Sequence, residues 1–266
     1  MRPRLLASDL DGTLLRPDTT VSPRVAAALA AAHSAGIAVV ILTARNWRSM
    51  SAVIGNAVHS GVVACSNGAV FYDLATDSIV RSHPFELDVL RAFLDRVTAD
   101  SEVVYAWETA EAAFRTTAYQ AIAAADPNFS TAYMASIQYA DAVPDDHVVT
   151  KVLLRHPTMS PEELCAELQP LCDGVIATTS GGPFVEAMAP GVTKAFALAL
   201  FCEEHGITAE EVVAVGDHTN DLPMLRWAGR GIAMANAHPS VLEAIPERTA
   251  SNADDGLALV IEDLLT

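Results

Sequence analysis

Apolar runs alternate with helical patterns at both ends of the chain. Residues 4–8 are a short apolar run ending at Asp9 and Asp11, which reads as a buried strand delivering two carboxylates at its C-terminal end. Ser22 and Pro23 mark a helix start, a side-chain cap followed by proline in the first turn. This Ala-rich helix is expected to end near residue 35, at Gly36. Residues 37–42 are unbroken and apolar, which predicts a strand covered on both faces. A helix over residues 47–58 and a strand over Val62–Cys65 continue the alternation. The same grammar returns near residue 192. A helix over 192–205 stops at Gly206, a strand over 212–215 ends at Gly216 and Asp217, and a strand over 231–234 precedes a closing helix over 257–265. This order predicts an α/β fold with a doubly wound parallel sheet.

The pattern changes after Ser66-Asn67-Gly68. Residues 69–72 and 78–81 flank a turn and suggest a hairpin. Residues 84–184 then read as an inserted α+β domain. A helix is expected at Leu87–Thr98 and strands at 102–107, 112–115 and 148–155. A helix over 161–171 and strands near 174–178 and 184–188 follow, while residues 126–142 show no clear period. The expected division is a core of residues 1–83 and 185–266 with the insert at 84–184.

Composition narrows the function. Hydrophobic residues are 51% and charged residues 18% of the 266, which excludes general disorder. The 16 basic residues face 33 acidic ones, a formal net charge of −17. Such a surface repels nucleic-acid backbones and anionic lipid, so neither partner is expected. The insert is the more acidic part, with 5 basic against 16 acidic residues over 84–190. No apolar run is long enough to span a bilayer, and Asp9 and Asp11 interrupt the only N-terminal candidate for a signal peptide. Cys65, Cys165, Cys172 and Cys202 form no CxxC pair, and Cys165 and Cys172, seven apart in an expected helix, suit buried thiols better than a disulfide or zinc site. A reduced, soluble, cytoplasmic protein is expected; its oligomeric state is left open.

Candidate chemistry gathers at the predicted strand ends, where open α/β sheets bind ligands. DLDGT (9–13) ends the first strand and Thr43 the second. The Thr43 hydroxyl suits an anion's oxygen or a simple helix cap. GDHTND (216–221) ends a later strand and places Asp217 and Asp221 around one strand-to-helix turn. Carboxylates converging there suit Mg²⁺, although Asp221 also suits a helix cap. Lys194 and Lys151 are the only lysines. Lys194 opens a helix, an end that disfavours cations, and it suits a phosphoryl group or a carboxylate.

DLDGT, Thr43, Lys194 and GDxxND, in that order, resemble the four motifs of the haloacid dehalogenase superfamily of phosphohydrolases. The insert between the second and third motifs resembles the α/β cap of its Cof-like subfamily, as do CSNGA (65–69) and EAMAPGVTKAFAL (186–198). The resemblance implies a Mg²⁺-dependent phosphatase whose cap reads the substrate. It casts Asp9 as the nucleophile that forms an aspartyl-phosphate. Asp11 becomes the acid and base, and lends its backbone carbonyl to Mg²⁺. Asp9 and Asp217 bind the ion directly, with Asp221 a ligand or a partner behind it. Thr43, Lys194, Asn220 and the N–H groups of Leu10 and Ala44 hold phosphate oxygens. Arg45 and Asn67 line the wall facing the cap. His218 and Thr219 depart from the usual pattern beside the metal position and are candidates to touch substrate. The expected partner is a small phosphorylated metabolite, such as a sugar phosphate or a phosphorylated cofactor. A phosphomutase and a non-catalytic phosphate-binding regulator are the alternatives.

Overall fold

Strands form where the apolar runs lie, and helices begin at side-chain caps. The computed structural model describes residues 3–54, 61–99, 102–126 and 137–266. The chain opens with β1 (Leu5–Ser8), α1 (Pro23–Ser34), β2 (Ala38–Leu42) and α2 (Trp47–Ile54). β3 (Val62–Cys65), β4 (Val70–Asp73) and β5 (Ser78–Ser82) follow. Next come α3 (Leu87–Thr98), β6 (Val104–Thr109), β7 (Ala113–Arg115), α4 (Thr117–Ala125) and β8 (Ile137–Tyr139). β9 (Val149–Arg155), α5 (Pro161–Leu168), β10 (Ile176–Thr178) and β11 (Val185–Met188) complete that stretch. The chain closes with α6 (Lys194–His205), β12 (Val212–Gly216), α7 (Leu222–Trp227), β13 (Arg230–Ala233), α8 (Pro239–Ala244) and α9 (Gly256–Leu264).

The chain divides into two units, Met1–Arg81 with Thr193–Thr266, and Ser82–Val192. The first holds a sheet of order β13-β12-β1-β2-β3-β4-β5. β13, β12, β1, β2 and β3 run parallel, and β4 turns back antiparallel on β3. Register aligns Ser8 with Val215 on one side and Ile41 on the other, so three strands end level. β1 and β12 are buried at every position. Leu5 and Ala7 join a cluster with Val40, Leu42, Leu198 and Met224, while Leu6, also fully buried, points to the opposite face. Each of the leucine, valine and methionine side chains contributes about 1.5–3 kcal/mol on burial, which fixes the strand ends firmly.

The second unit holds a sheet of order β10-β11-β9-β6-β7-β8, antiparallel except for β7 with β8. β11 pairs with both β10 and β9. A division at residue 184 would strip this strand from its sheet, so the expected boundary is corrected to Val192. The helix expected over 161–171 ends at Leu168 and gives way to a tight turn at Gln169–Leu171. Pro170 lacks the N–H that a continuing helix needs. α4 lies where no element was expected; the Thr116 hydroxyl caps it, accepting from Tyr119 N–H at 3.0 Å. The last residues of the helix expected over 47–58, and most of the patternless stretch over 126–142, lie outside the described residues. Among the described residues no helix is long and apolar enough to cross a membrane, and the four cysteines are free thiols.

Candidate active site

Asp9 continues β1 by one residue, its N–H donating to Val215 O at 3.0 Å. That bond brings Asp9 beside the β12 end, where Asp217 and Asp221 follow. Ligand atoms of Asp9, Asp217 and Asp221 all lie within 4.8 Å of one another. Gly12 makes the approach possible. It has φ of 76°, and a Cβ there would sit 2.2 Å from Asp217 Oδ2. Thr13 donates its hydroxyl to Asp217 Oδ1 at 2.8 Å, a role the sequence reading missed although the residue lies inside DLDGT. Asn236, also missed, donates to Gly12 O at 2.8 Å and braces the same turn.

Lys194 is 1% exposed despite its place at the head of α6, where a lysine is ordinarily solvated. Its Nζ donates to Asp9 Oδ1 at 2.5 Å and to Asp221 Oδ1 at 2.6 Å. Gly68 lets α6 come this close: its φ is 100°, and a Cβ would meet Thr193 O at 2.6 Å. Burial alone would push the Lys194 ammonium down, but the charges of Asp221 and Asp9 outweigh it and hold the group above its ordinary range. Burial, then the Asp221 charge, raise the Asp9 carboxyl well above the usual carboxylate range against the pull of Lys194. Burial and Asp221 likewise push Asp217 up to about 7.

Asp221 does not cap the helix that follows it, since its side chain makes no cap bond to α7. Its Oδ2 accepts the N–H groups of Asp217 and His218, each at 2.9 Å, while Oδ1 takes Lys194. Thr43 is fully buried, and its hydroxyl accepts from Arg45 N–H at 3.1 Å, which shapes the turn into α2 and leaves a hydroxyl proton to donate. Leu10 is fully buried and Ala44 half-buried in the turns after β1 and β2. Asn220 donates to Asn67 Oδ1 at 2.9 Å, and its own Oδ1 is buried without a hydrogen-bond partner. Asn67 is 1% exposed with φ of 56°, a conformation asparagine tolerates. Arg45 pairs with Asp11, and that carboxylate lies outside the three-aspartate group. His218 is half-buried, its ring 5.3 Å from that of His238.

Three aspartates face one ammonium, so the ionised site carries an excess of two negative charges in a buried place. An all-oxygen donor set with that excess fits a divalent cation.

Comparison with known proteins agrees with this geometry. A family model described as haloacid dehalogenase-like hydrolase matches residues 6–261. The Bacillus subtilis (strain 168) protein YxeH is 30% identical over 98% of each chain. YitU of the same organism, named as a 5-amino-6-(5-phospho-D-ribitylamino)uracil phosphatase, is 28% identical over 98% of this chain and 97% of its own. The crystal structure of SMU.1108c from Streptococcus mutans UA159 superposes with a TM-score of 0.83 over 99% of both chains at 19% identity, a likeness of fold. The matched model spans both sheets and all four motifs, and the chain belongs to the haloacid dehalogenase-like hydrolase family.

Proposed function

We propose that this chain is a Mg²⁺-dependent phosphatase that hydrolyses a small phosphate monoester through an aspartyl-phosphate on Asp9. The observation that carries the reading is the buried group of Asp9, Asp217 and Asp221 with Lys194 held between Asp9 and Asp221. Asp9, Asp217 and the backbone carbonyl of Asp11 would hold the ion, with Asp221 beside them. Mg²⁺ supplies charge neutralisation for the phosphate and the carboxylates when bound. Lys194 orients the Asp9 carboxylate and faces the phosphate oxygens. Thr43, Asn220 and the N–H groups of Leu10 and Ala44 complete the phosphate cradle. Asp11 gives a proton to the leaving oxygen and later takes one from water.

The four motifs bind phosphate and read nothing of its organic group. Discrimination among substrates is therefore assigned to the unit of residues 82–192, with His218 and Thr219 the first candidates in the core. The relative named for a phosphorylated ribityl-uracil supports a phosphorylated metabolite as the substrate class.

Phosphate release from p-nitrophenyl phosphate and from a panel of sugar phosphates and phosphorylated cofactors tests the reading. Release is expected with Mg²⁺, is lost in excess chelator, and is inhibited by Ca²⁺, whose longer bonds and higher coordination number let Asp9 bind through both oxygens. Full activity in chelator overturns the metal assignment. Rearranged phosphoester without free phosphate marks a phosphomutase instead, and phosphate binding with no turnover marks a regulator.

A further inference from the structure

Asp11 stands apart from the clustered aspartates. Its side chain is 42% exposed, so packing alone leaves its carboxylate several orientations. A single guanidinium removes that freedom. Arg45 Nε donates to Asp11 Oδ2 at 2.7 Å and Nη2 to Oδ1 at 2.6 Å, a two-pronged fork on both oxygens. Arg45 is the better anchored partner. Its side chain is 21% exposed, and its backbone N–H is tied to the buried Thr43 hydroxyl. The next residue, Asn46, accepts Ser49 N–H on its side chain at 3.0 Å, which pins the start of α2. The fork therefore hangs from a turn held by local hydrogen bonds and reaches a partly exposed carboxylate.

We propose that Arg45 is a positioning residue for Asp11. The inference rests on the phosphatase reading above and deepens it. In the first half-reaction an Asp9 oxygen forms a bond to phosphorus and the bond to the leaving oxygen breaks. The electron pair goes to that oxygen, which takes the Asp11 proton. In the second half water bonds to phosphorus and gives a proton to Asp11. The phosphorus bond to Asp9 then breaks, and its electron pair returns to the Asp9 carboxylate. Asp11 must serve two different oxygens in turn from one place. The fork fits its carboxylate form, which receives the proton from water. When one oxygen carries the proton, the other still accepts from the guanidinium and keeps the group aimed. A lysine at this position offers a point charge and no fork.

The test compares an alkyl ester, glycerol 2-phosphate, with p-nitrophenyl phosphate in the full chain. Nitrophenolate leaves without a proton, whereas an alkoxide requires one. Arg45→Ala is expected to lower kcat by about tenfold more on the alkyl ester than on the aryl ester. Arg45→Lys should fail in the same selective way, and added guanidinium ion should restore alkyl turnover to Arg45→Ala. The double variant with Asp11→Asn should lose no more than Asp11→Asn alone on the alkyl ester, because both act at one step. Equal losses on the two esters, additive losses in the double variant, or a raised KM with kcat kept would overturn the positioning role. Asp9→Asn separates the two claims. An active Asp9→Asn defeats the aspartyl-phosphate mechanism on which the role of Arg45 rests, whereas an inactive one with indiscriminate Arg45 variants defeats only the role of Arg45.

Discussion

The chain's two lysines are both buried between carboxylates, and they do different things. Lys151 sits inside β9 of the second unit, 3.2 Å from Glu108 and 3.3 Å from Glu186. Glu108 is its direct cross-strand partner on β6, and Glu186 comes from β11 on the other side. All three lie on strands of one sheet, with a register shift just after Glu108, so the lysine is a strut within a sheet. Lys194 stands at the head of α6, and its carboxylates come from the loops after β1 and β12. Asp9 keeps one last backbone bond, to Val215 O, and beyond it the strand pairing ends. Both ammonium groups sit above their ordinary range, because carboxylate charges outweigh burial in each case. The difference lies in the balance: two carboxylates to one ammonium in the strut, three to one at the strand ends. A charge surplus where the ladder ends invites a cation and a reacting anion.

Removing single groups sharpens this contrast, beginning with the largest effect. Asp9→Asn should cut phosphatase turnover on the order of 10⁴-fold while circular dichroism is unchanged. Glu108→Gln should keep its turnover per folded molecule. Retention of near-normal turnover by Asp9→Asn would remove it as nucleophile. Lys151→Ala leaves two buried carboxylates without their cation, and urea unfolding should show a loss of about 3–5 kcal/mol. Lys194→Ala should lose turnover even where it remains folded. If the two lysine variants prove alike in activity per folded molecule, the distinction between strut and site collapses.

Acidity gives the next test. The Asp217 carboxyl titrates near 7 in the folded chain, above its ordinary value of 3.8. A raised carboxyl stabilises the fold at low pH, and that contribution is lost as pH climbs through the folded value. The metal-free protein should therefore melt progressively lower between about pH 4 and pH 7, and remain low above it. Mg²⁺ should raise the melting temperature more at pH 8 than at pH 5, by a few degrees. An increment independent of pH would mean that Asp217 does not face the ion. The smallest effect is expected where a short distance lacks burial. Arg24 and Glu262 approach to 2.6 Å, as close as Lys194 and Asp221, but both side chains are 46% exposed. Glu262→Gln should leave the urea midpoint unchanged within error, since water screens the pair; a clear shift would show that contact distance outweighs burial.

Local order was legible without the fold. Ser22 caps α1 through Val25 N–H at 3.0 Å, and Gly206 ends α6 with φ of 59°. Each signal lies within a few residues of what it controls. Apolar runs marked the buried strands, and the residues following them, Asp9, Thr43 and Asp217, were the site candidates. α4 escaped notice because its short Ala-rich segment carries little amphipathic contrast beyond the Thr116 cap. The membership of β11 escaped because an apolar strand does not state which sheet it joins.

Sequence by itself determined the strand and helix grammar, the caps, and which residues stand at the strand ends, because these depend on neighbours along the chain. Only the tertiary structure decided that Arg45 holds Asp11, that Thr13 serves Asp217, and that Asp221 divides its oxygens between backbone N–H groups and Lys194. The first two pairs are separated by 34 and 204 residues. Their meeting depends on strand register, on Gly12 admitting a carboxylate, and on Gly68 admitting a helix end, and these close approaches are set by packing in three dimensions.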